Sequence, residues 1–399
     1  MANENALELE WLRNVRKIEE RNTQFKELEY FVNVSKNSVH SYKNKNGQKI
    51  VVLGNLFPIE IVRAMDIDYY CVYGGSFAMT LSQNDNLPKD TDDVSRSIYG
   101  AIKSEDLGLK KSDALLIPLY NDNMRKLKTM LSDFVTVISY EVPIDKEDSL
   151  QKRRFISEIN RAVKEIEKHF HKKLSSKKLN EQLKISKKAF EAFSIFESLY
   201  FEKQASLTAS AFLLIANSFR ICKDINDWIK HLCLMNEEFR KNNDRPLNNH
   251  PEIILLGSPL YGPNYKSILL IEEMGLNVRT IIHPDIEHFK IAGNMNCSSV
   301  SVRELSLRYL EADISPVYIQ NGSMDKLIKN AIKEDNVSGI IALAHKGQID
   351  YEYEIKRVEK LIENTRLSLI RIETVYDYHD FEQIRVRIEA FSEMLNSLQ

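Results

Sequence analysis

KIVVLG (Lys49 to Gly54) and EIILLGSPL (Glu252 to Leu260) are the two runs whose reading sets the fold. Each is apolar, too short for a buried helix, and meets a glycine where the apolar texture ends, the pattern of a strand buried on both faces. The turn signal KNGQ precedes the first run, and Pro58 with the amphipathic IEIVRAM follows it. Next come DYYCVYGG with the paired Gly74 and Gly75, KSDALLIPL (Lys111 to Leu119) closed by the helix-opening NDNMRKL, and the β-branched SDFVTVISYEV (Ser132 to Val142). After the second run, a helical pattern through SILLIEEMG ends on Gly275, and VRTIIH, SGIIALAH and SLIRIET supply further strands. Strands alternating with helical patterns give parallel sheets covered on both faces, so the chain reads as α/β with two similar lobes.

Between the lobes the texture changes. From Asp148 to about Leu247 charge is dense, proline and glycine are nearly absent, and apolar residues recur at helical spacing. This divides the chain into an N-terminal helical segment (1–46), a first α/β lobe (47–147), a helical insert (148–250) and a second α/β lobe with a C-terminal helix (251–399). The 399 residues suit two or three units at the usual ~100–200 residues each.

Composition narrows the function. Lys+Arg 55 against Asp+Glu 57 leaves a net charge of -2, with no basic excess to meet nucleic-acid phosphates. No stretch reaches the ~18 uncharged apolar residues of a membrane span, and the polar start MANENALELE lacks a signal-peptide hydrophobic region, so a cytoplasmic protein is expected. Cys71, Cys222, Cys233 and Cys297 are scattered, which argues against a disulfide framework and against a metal site of CxxC type.

Ligands of α/β sheets bind outside the carboxyl ends of the strands. The turn GSPLYGPN (Gly257 to Asn264) offers backbone N–H groups there, with Ser258 and Tyr261 as substrate-binding candidates, and Gly74 and Gly75 permit close approach of a ligand to the backbone. His345, ending IIALAH, is the acid–base candidate. His169 and His171 fall on a charged helical face, and no metal site is expected.

Several segments in order resemble the D-component family of 2-hydroxyglutaryl-CoA dehydratase, whose members include benzoyl-CoA reductase-like proteins. They are GNLFPIEIVRAM, LSSKKLNEQLKISKKAFEAF, GSPLYGPNYKSILLIEEMGLNV and RIETVYDYHDFEQIRVRIEAFSEML, covering residues from about 50 to the end. The resemblance implies two Rossmann-like lobes around a cleft, pairing with a homologous subunit, and an iron–sulfur cluster held by three cysteines. In active members the cluster takes one electron from an ATP-driven activator and passes it to an acyl-CoA thioester, whose ketyl radical eliminates water. Here the three cysteine positions fall at or beside Asp92, at Asn121 and at Gln348, none a thiol. Asn55 corresponds to a polar position before the family's proline and is the second catalytic candidate, and Val375 stands where an aspartate follows Glu-Thr. Thiolates hold such clusters, so none is expected in this chain.

The reading that follows is a subunit of a 2-hydroxyacyl-CoA dehydratase-like complex, a lyase, that binds an acyl-CoA or shapes its pocket. A homologous cysteine-bearing dehydratase subunit would carry a [4Fe-4S] cluster, served by an ATP-dependent activator. The alternatives are a cluster-free enzyme acting on a small acid or thioester, and a non-catalytic binding protein.

Overall fold

A computed structural model describes residues 2–40, 47–81, 86–88, 90–104, 107–202, 206–241, 250–293, 295, 300–334 and 337–398. Two helices, α1 (Ala2–Arg21) and α2 (Leu28–His40), lead into the first lobe. It contains β1 (Lys49–Leu53), α3 (Ile59–Ala64), β2 (Asp68–Val72), α4 (Phe77–Leu81), α5 (Asp93–Lys103), β3 (Ala114–Leu119), α6 (Asp122–Leu131) and β4 (Thr136–Glu141). Four helices follow: α7 (Ser149–Phe170), α8 (Ser176–Glu202), α9 (Ala209–Ile221) and α10 (Ile225–Lys241). The second lobe starts with β5 (Glu252–Gly257), α11 (Lys266–Glu273), β6 (Asn277–Ile281), α12 (Pro284–Gly293) and α13 (Val302–Ala312). It ends with α14 (Gly322–Glu334), β7 (Gly339–His345), α15 (Ile349–Ile362), β8 (Ser368–Thr374) and α16 (Phe381–Leu398).

The strands make two four-stranded parallel sheets, ordered β2-β1-β3-β4 and β6-β5-β7-β8. Both are therefore wound the same way, and both have two Rossmann-like features: parallel strands and helical crossovers. Consecutive side chains of β1 enter opposite cores. Ile50 and Val52 pack with Phe155 and Ile159 of α7, whereas Val51 and Leu53 pack with Ile98 of α5 and Leu127 of α6. The second sheet repeats this, with Ile253 and Leu255 on the side of the helical insert and Ile254 and Leu256 on the side of α14 and α15. Strands covered on both faces need apolar side chains at every position, which is why these runs do not alternate.

The insert wraps the first lobe. Residues of α3 expected to be half solvated are all buried, because α8 and α13 cover the helix from outside. Glu60 is satisfied internally, accepting from Ser186 Oγ and from the Tyr309 hydroxyl, both at 2.8 Å, and Arg63 Nε donates to the Tyr69 hydroxyl at 2.7 Å. The N-terminal helices are integral as well. Glu10 of α1 accepts from Ser76 Oγ and from the backbone N–H groups of Phe77 and Ala78, closing the start of α4 from another element.

One buried cation fastens the second lobe. Lys266, at the start of α11, donates to the carbonyls of Val375 and Asp377 at 2.7 and 2.6 Å and to the Asp380 carboxylate at 2.5 Å. Asp380 also accepts from Thr374 Oγ1 and Val375 N, so the exit of β8 and the entry of α16 hang on this pair. Removing one partner of a buried pair leaves the other charge uncompensated, which costs about 3–5 kcal/mol. Lys266→Met keeps the length of the side chain and loses all three donors; urea unfolding should show a loss of that size with an unchanged slope. A loss below about 1 kcal/mol would show that the pair does not hold the lobe.

Candidate functional site

Strand order places the site. Each chain path leaves its first strand toward one edge and returns on the other side, so the switch points lie between β1 and β3 and between β5 and β7. Asn55 follows β1, Asn121 follows β3, Ser258 follows β5 and Gln348 follows β7. The carboxyl ends of both sheets face one another across a cleft of about 400 Å³, and Asn55, Asp92, Asn121, Tyr261 and Gln348 all line it. The lobes approach closely here. A side chain at Gly347 (φ 87°) would lie 3.2 Å from the Asp90 carbonyl and 3.3 Å from the Asp92 Cα.

The three positions where the resemblance places cysteines thus come together, each at the start of a helix. Asp92 caps α5, accepting from Ser95 N at 3.0 Å, Ser95 Oγ at 2.7 Å and Asn123 Nδ2 at 2.5 Å. Asn121 caps α6, accepting from Met124 N at 3.0 Å. Gln348 precedes α15 and accepts from Ser258 Oγ at 2.6 Å, while that hydroxyl accepts from His345 N at 3.0 Å. Their oxygens are engaged as caps and ties, and none is a thiolate donor. Among the described residues no group of three His, Cys, Asp or Glu side chains is placed to hold a metal ion. Cys71 and Cys222 are buried outside the cleft lining, Cys233 is exposed on α10, and Cys297 lies outside the described residues. The donor set in the cleft does not fit a thiolate-held cluster.

Asn55 and Tyr261 join the lobes: Asn55 Nδ2 donates to the Tyr261 hydroxyl at 3.0 Å. The Tyr261 ring stacks on Tyr73 at 4.4 Å and 16°. This pair is a shared wall, with the cleft on one side and a largely apolar slot of about 90 Å³ on the other. Gly74 and Gly75 line the slot rather than the cleft. Both have positive φ, and a Cβ on Gly75 would stand 2.6 Å from the Tyr261 carbonyl, so the glycines let the two lobes touch.

His345 is placed differently from Asn55. It is 1% exposed, lies edge-on to Tyr376 with ring centroids 4.9 Å apart, and does not line the cleft. Burial lowers its pKa to about 4, which keeps the imidazole neutral. Ser258 is also buried and acts as a tie between β5, β7 and Gln348. His169 Nε2 meets the Ser112 carbonyl at 2.8 Å, and His171 ends α7 with φ 52°.

Two features were not visible in the sequence. Five aspartates, Asp90, Asp92, Asp122, Asp313 and Asp350, line the cleft, and no lysine, arginine or histidine does among the described residues. Asp350 is pushed up by burial and by the charges of Asp122 and Asp92. The second feature is Asp285, 3% exposed and beside Asn55, with neither carboxyl oxygen hydrogen-bonded among the described residues. Burial raises it to about 7, against the lowering influence of Arg220 and Asn55. In HPDIEH it reads as an acid in a first helical turn after a proline, an ordinary helix start.

The sequence is similar to known proteins over most of its length. A relative from Escherichia coli (strain K12) named "Putative dehydratase subunit YjiM" is 22% identical over 326 residues, covering 78% of this chain and 82% of the relative. The family described as 2-hydroxyglutaryl-CoA dehydratase, D-component, matches residues 55–395, from the cleft asparagine after β1 to the last turns of α16. The first lobe after β1, the insert, the second lobe and every cleft residue named above fall inside that match, and the chain belongs to the 2-hydroxyglutaryl-CoA dehydratase D-component family.

Proposed function

We propose that this chain is a subunit of a 2-hydroxyacyl-CoA dehydratase-like complex that shapes the pocket for the acyl end of an acyl-CoA. A homologous cysteine-bearing subunit holds the [4Fe-4S] cluster and an ATP-dependent activator supplies its electron, while this chain holds none. The observation that carries the reading is the fate of three cleft positions: Asp92, Asn121 and Gln348 serve as helix caps and a tie, while the cleft stays open at about 400 Å³. Five carboxylates repel phosphates, so the nucleotide end of an acyl-CoA lies outside and the uncharged thioester end enters. Asn55 Oδ1 is buried without a hydrogen-bond partner among the described residues, an acceptor for the 2-hydroxyl of the acyl group. Ile349 and Tyr353, 65% and 75% exposed on one face of α15, offer apolar surface by the cleft mouth for the partner subunit.

A second reading has one specific observation in its favour. Asp285, poised near neutrality behind Asn55, suits acid–base work, as a cluster-free enzyme acting on a small acid or thioester would require. Turnover of a 2-hydroxyacyl-CoA by the isolated, iron-free chain would favour it.

Metal content separates the subunit reading from its rivals. Protein purified without oxygen should contain iron and acid-labile sulfide only when co-expressed with a cysteine-bearing homologue and purified as a complex. Iron in the isolated chain, or no complex at all, would overturn the subunit reading. For the pocket, calorimetric titration should show tighter binding of a 2-hydroxyacyl-CoA than of the same acyl-CoA lacking the hydroxyl. Asn55→Ala should erase a preference of about tenfold, the equivalent of one hydrogen bond; equal binding of both ligands by the unaltered chain would remove Asn55 from the site. Stability against pH tests Asp285. The folded chain keeps the Asp285 proton up to about pH 7 whereas the unfolded chain releases it near its ordinary 3.8, so Asp285 makes stability fall as pH rises between those values. Asp285→Asn should flatten that decline, by up to about 4 kcal/mol at pH 8, because each tenfold difference in proton affinity between the two states is worth about 1.4 kcal/mol. Parallel stability–pH curves for the two proteins would show that Asp285 is ionised in the fold.

A further inference from the structure

Away from the cleft, β2, the end of α3 and the junction of α9 with α10 enclose a cavity of about 410 Å³, within the size range of small-ligand sites. Two guanidinium groups line it. Arg63 is 8% exposed and Arg220 is 3% exposed. Each spends one donor on the protein: Arg63 Nε on the Tyr69 hydroxyl, and Arg220 Nη1 on the Asn55 carbonyl at 3.1 Å. Both Nη atoms of Arg63, and Nε and Nη2 of Arg220, are buried with no hydrogen-bond partner among the described residues.

Buried charged donors left unpaired cost more than the ~1–3 kcal/mol of a neutral one. Asp66, Asp68, Asp224 and Lys223 share the wall with the two arginines, and all four, like Glu60 nearby, are already engaged. Glu60 accepts from Ser186 and Tyr309, Asp66 pairs with Lys178, and Asp224 accepts from the N–H groups of Asn226 and Asp227 at the start of α10. The rest of the wall includes Ile67, Ile185 and Ile225. Planar guanidinium forks match a carboxylate with two parallel hydrogen bonds, and isoleucines match a hydrocarbon body.

We infer that this cavity is a second binding site, taking a small organic carboxylate whose oxygens accept from the free N–H groups of Arg63 and Arg220. It is separate from the cleft and independent of the dehydratase reading. Arg220 belongs to both neighbourhoods, since its Nη1 holds the Asn55 carbonyl of the cleft.

The test is calorimetric titration of the full chain at fixed ionic strength with hexanoate, 1-hexanol and inorganic phosphate. Hexanoate should bind saturably and tighter than either control, and Arg63→Gln should weaken it about tenfold or more. Gln182→Glu adds a negative charge at the partly exposed wall formed by α8 and should weaken hexanoate severalfold with an unchanged circular dichroism spectrum. If Arg63→Gln does not fold, Gln182→Glu decides alone. Hexanol binding as tightly as hexanoate, phosphate binding as tightly or more so, absence of saturable hexanoate binding, or unaltered hexanoate affinity in the folded variants would each overturn the assignment.

Discussion

Arg220 is buried at the end of α9, where the helical insert meets both lobes. Desolvating a guanidinium costs several kcal/mol, and no carboxylate pairs with it among the described residues. What surrounds it instead is a set of groups that feel its charge: Tyr73 and Cys71 from the first lobe, Tyr309 and Asp285 from the second. Its one direct bond pins the Asn55 carbonyl, and this fixes the turn after β1. Asn55 can then reach Tyr261 across the cleft, and Tyr261 can stack on Tyr73. The same charge pulls down on Asp285 against its burial, so the floor of the cleft and its nearest titrating group both depend on one side chain of the insert.

Strands and their order of appearance were legible because burial on both faces writes itself into composition. Every residue of β1, β3 and β7 is buried, and apart from Lys49 at the start of β1 and His345 at the end of β7 those runs are apolar. Positions at strand ends were legible too, since a parallel sheet offers ligands only its carboxyl edge. The direction of a side chain at that edge was not. Asn55 and His345 both follow or end a central strand, yet one lines the cleft and the other lies beneath it against Tyr376. IEIVRAM fails for a related reason. Its charged residues predict an outer face, and only the packing of α8 and α13 turns Glu60 and Arg63 into interior groups. The acidic lining was hidden because its five aspartates come from loops and helix starts spread between residues 90 and 350, each an ordinary polar position by itself.

Charge in the cleft and charge behind it are balanced differently. Among the described residues the cleft lining carries carboxylates and no cation, whereas the cavity behind it carries Arg63, Arg220 and Lys223 beside Asp66, Asp68 and Asp224. Arg220 lies beside both Asn55 and Asp285, and its buried charge favours electron-rich atoms there. This accounts for a buried aspartate that is poised near neutrality instead of being protonated throughout. An uncharged polar ligand group can enter such a cleft with little electrostatic penalty, while an anion cannot.

The lack of thiols among the described residues of the cleft has its own physical logic. Where the resemblance places cysteines, the chain begins helices, and helix starts leave N–H groups without partners. Aspartate and asparagine are among the best residues at such positions, worth about 1 kcal/mol each over an inert side chain. Asp92 and Asn121 fill these roles for α5 and α6. Gln348 does not cap its helix; it reaches Ser258 and so joins the exits of β5 and β7. At each position where the resemblance places a metal ligand, the side chain satisfies a local need of the backbone or of a neighbouring turn. What these side chains leave at the sheet ends is shape: an acidic, tyrosine-walled pocket between two sheets.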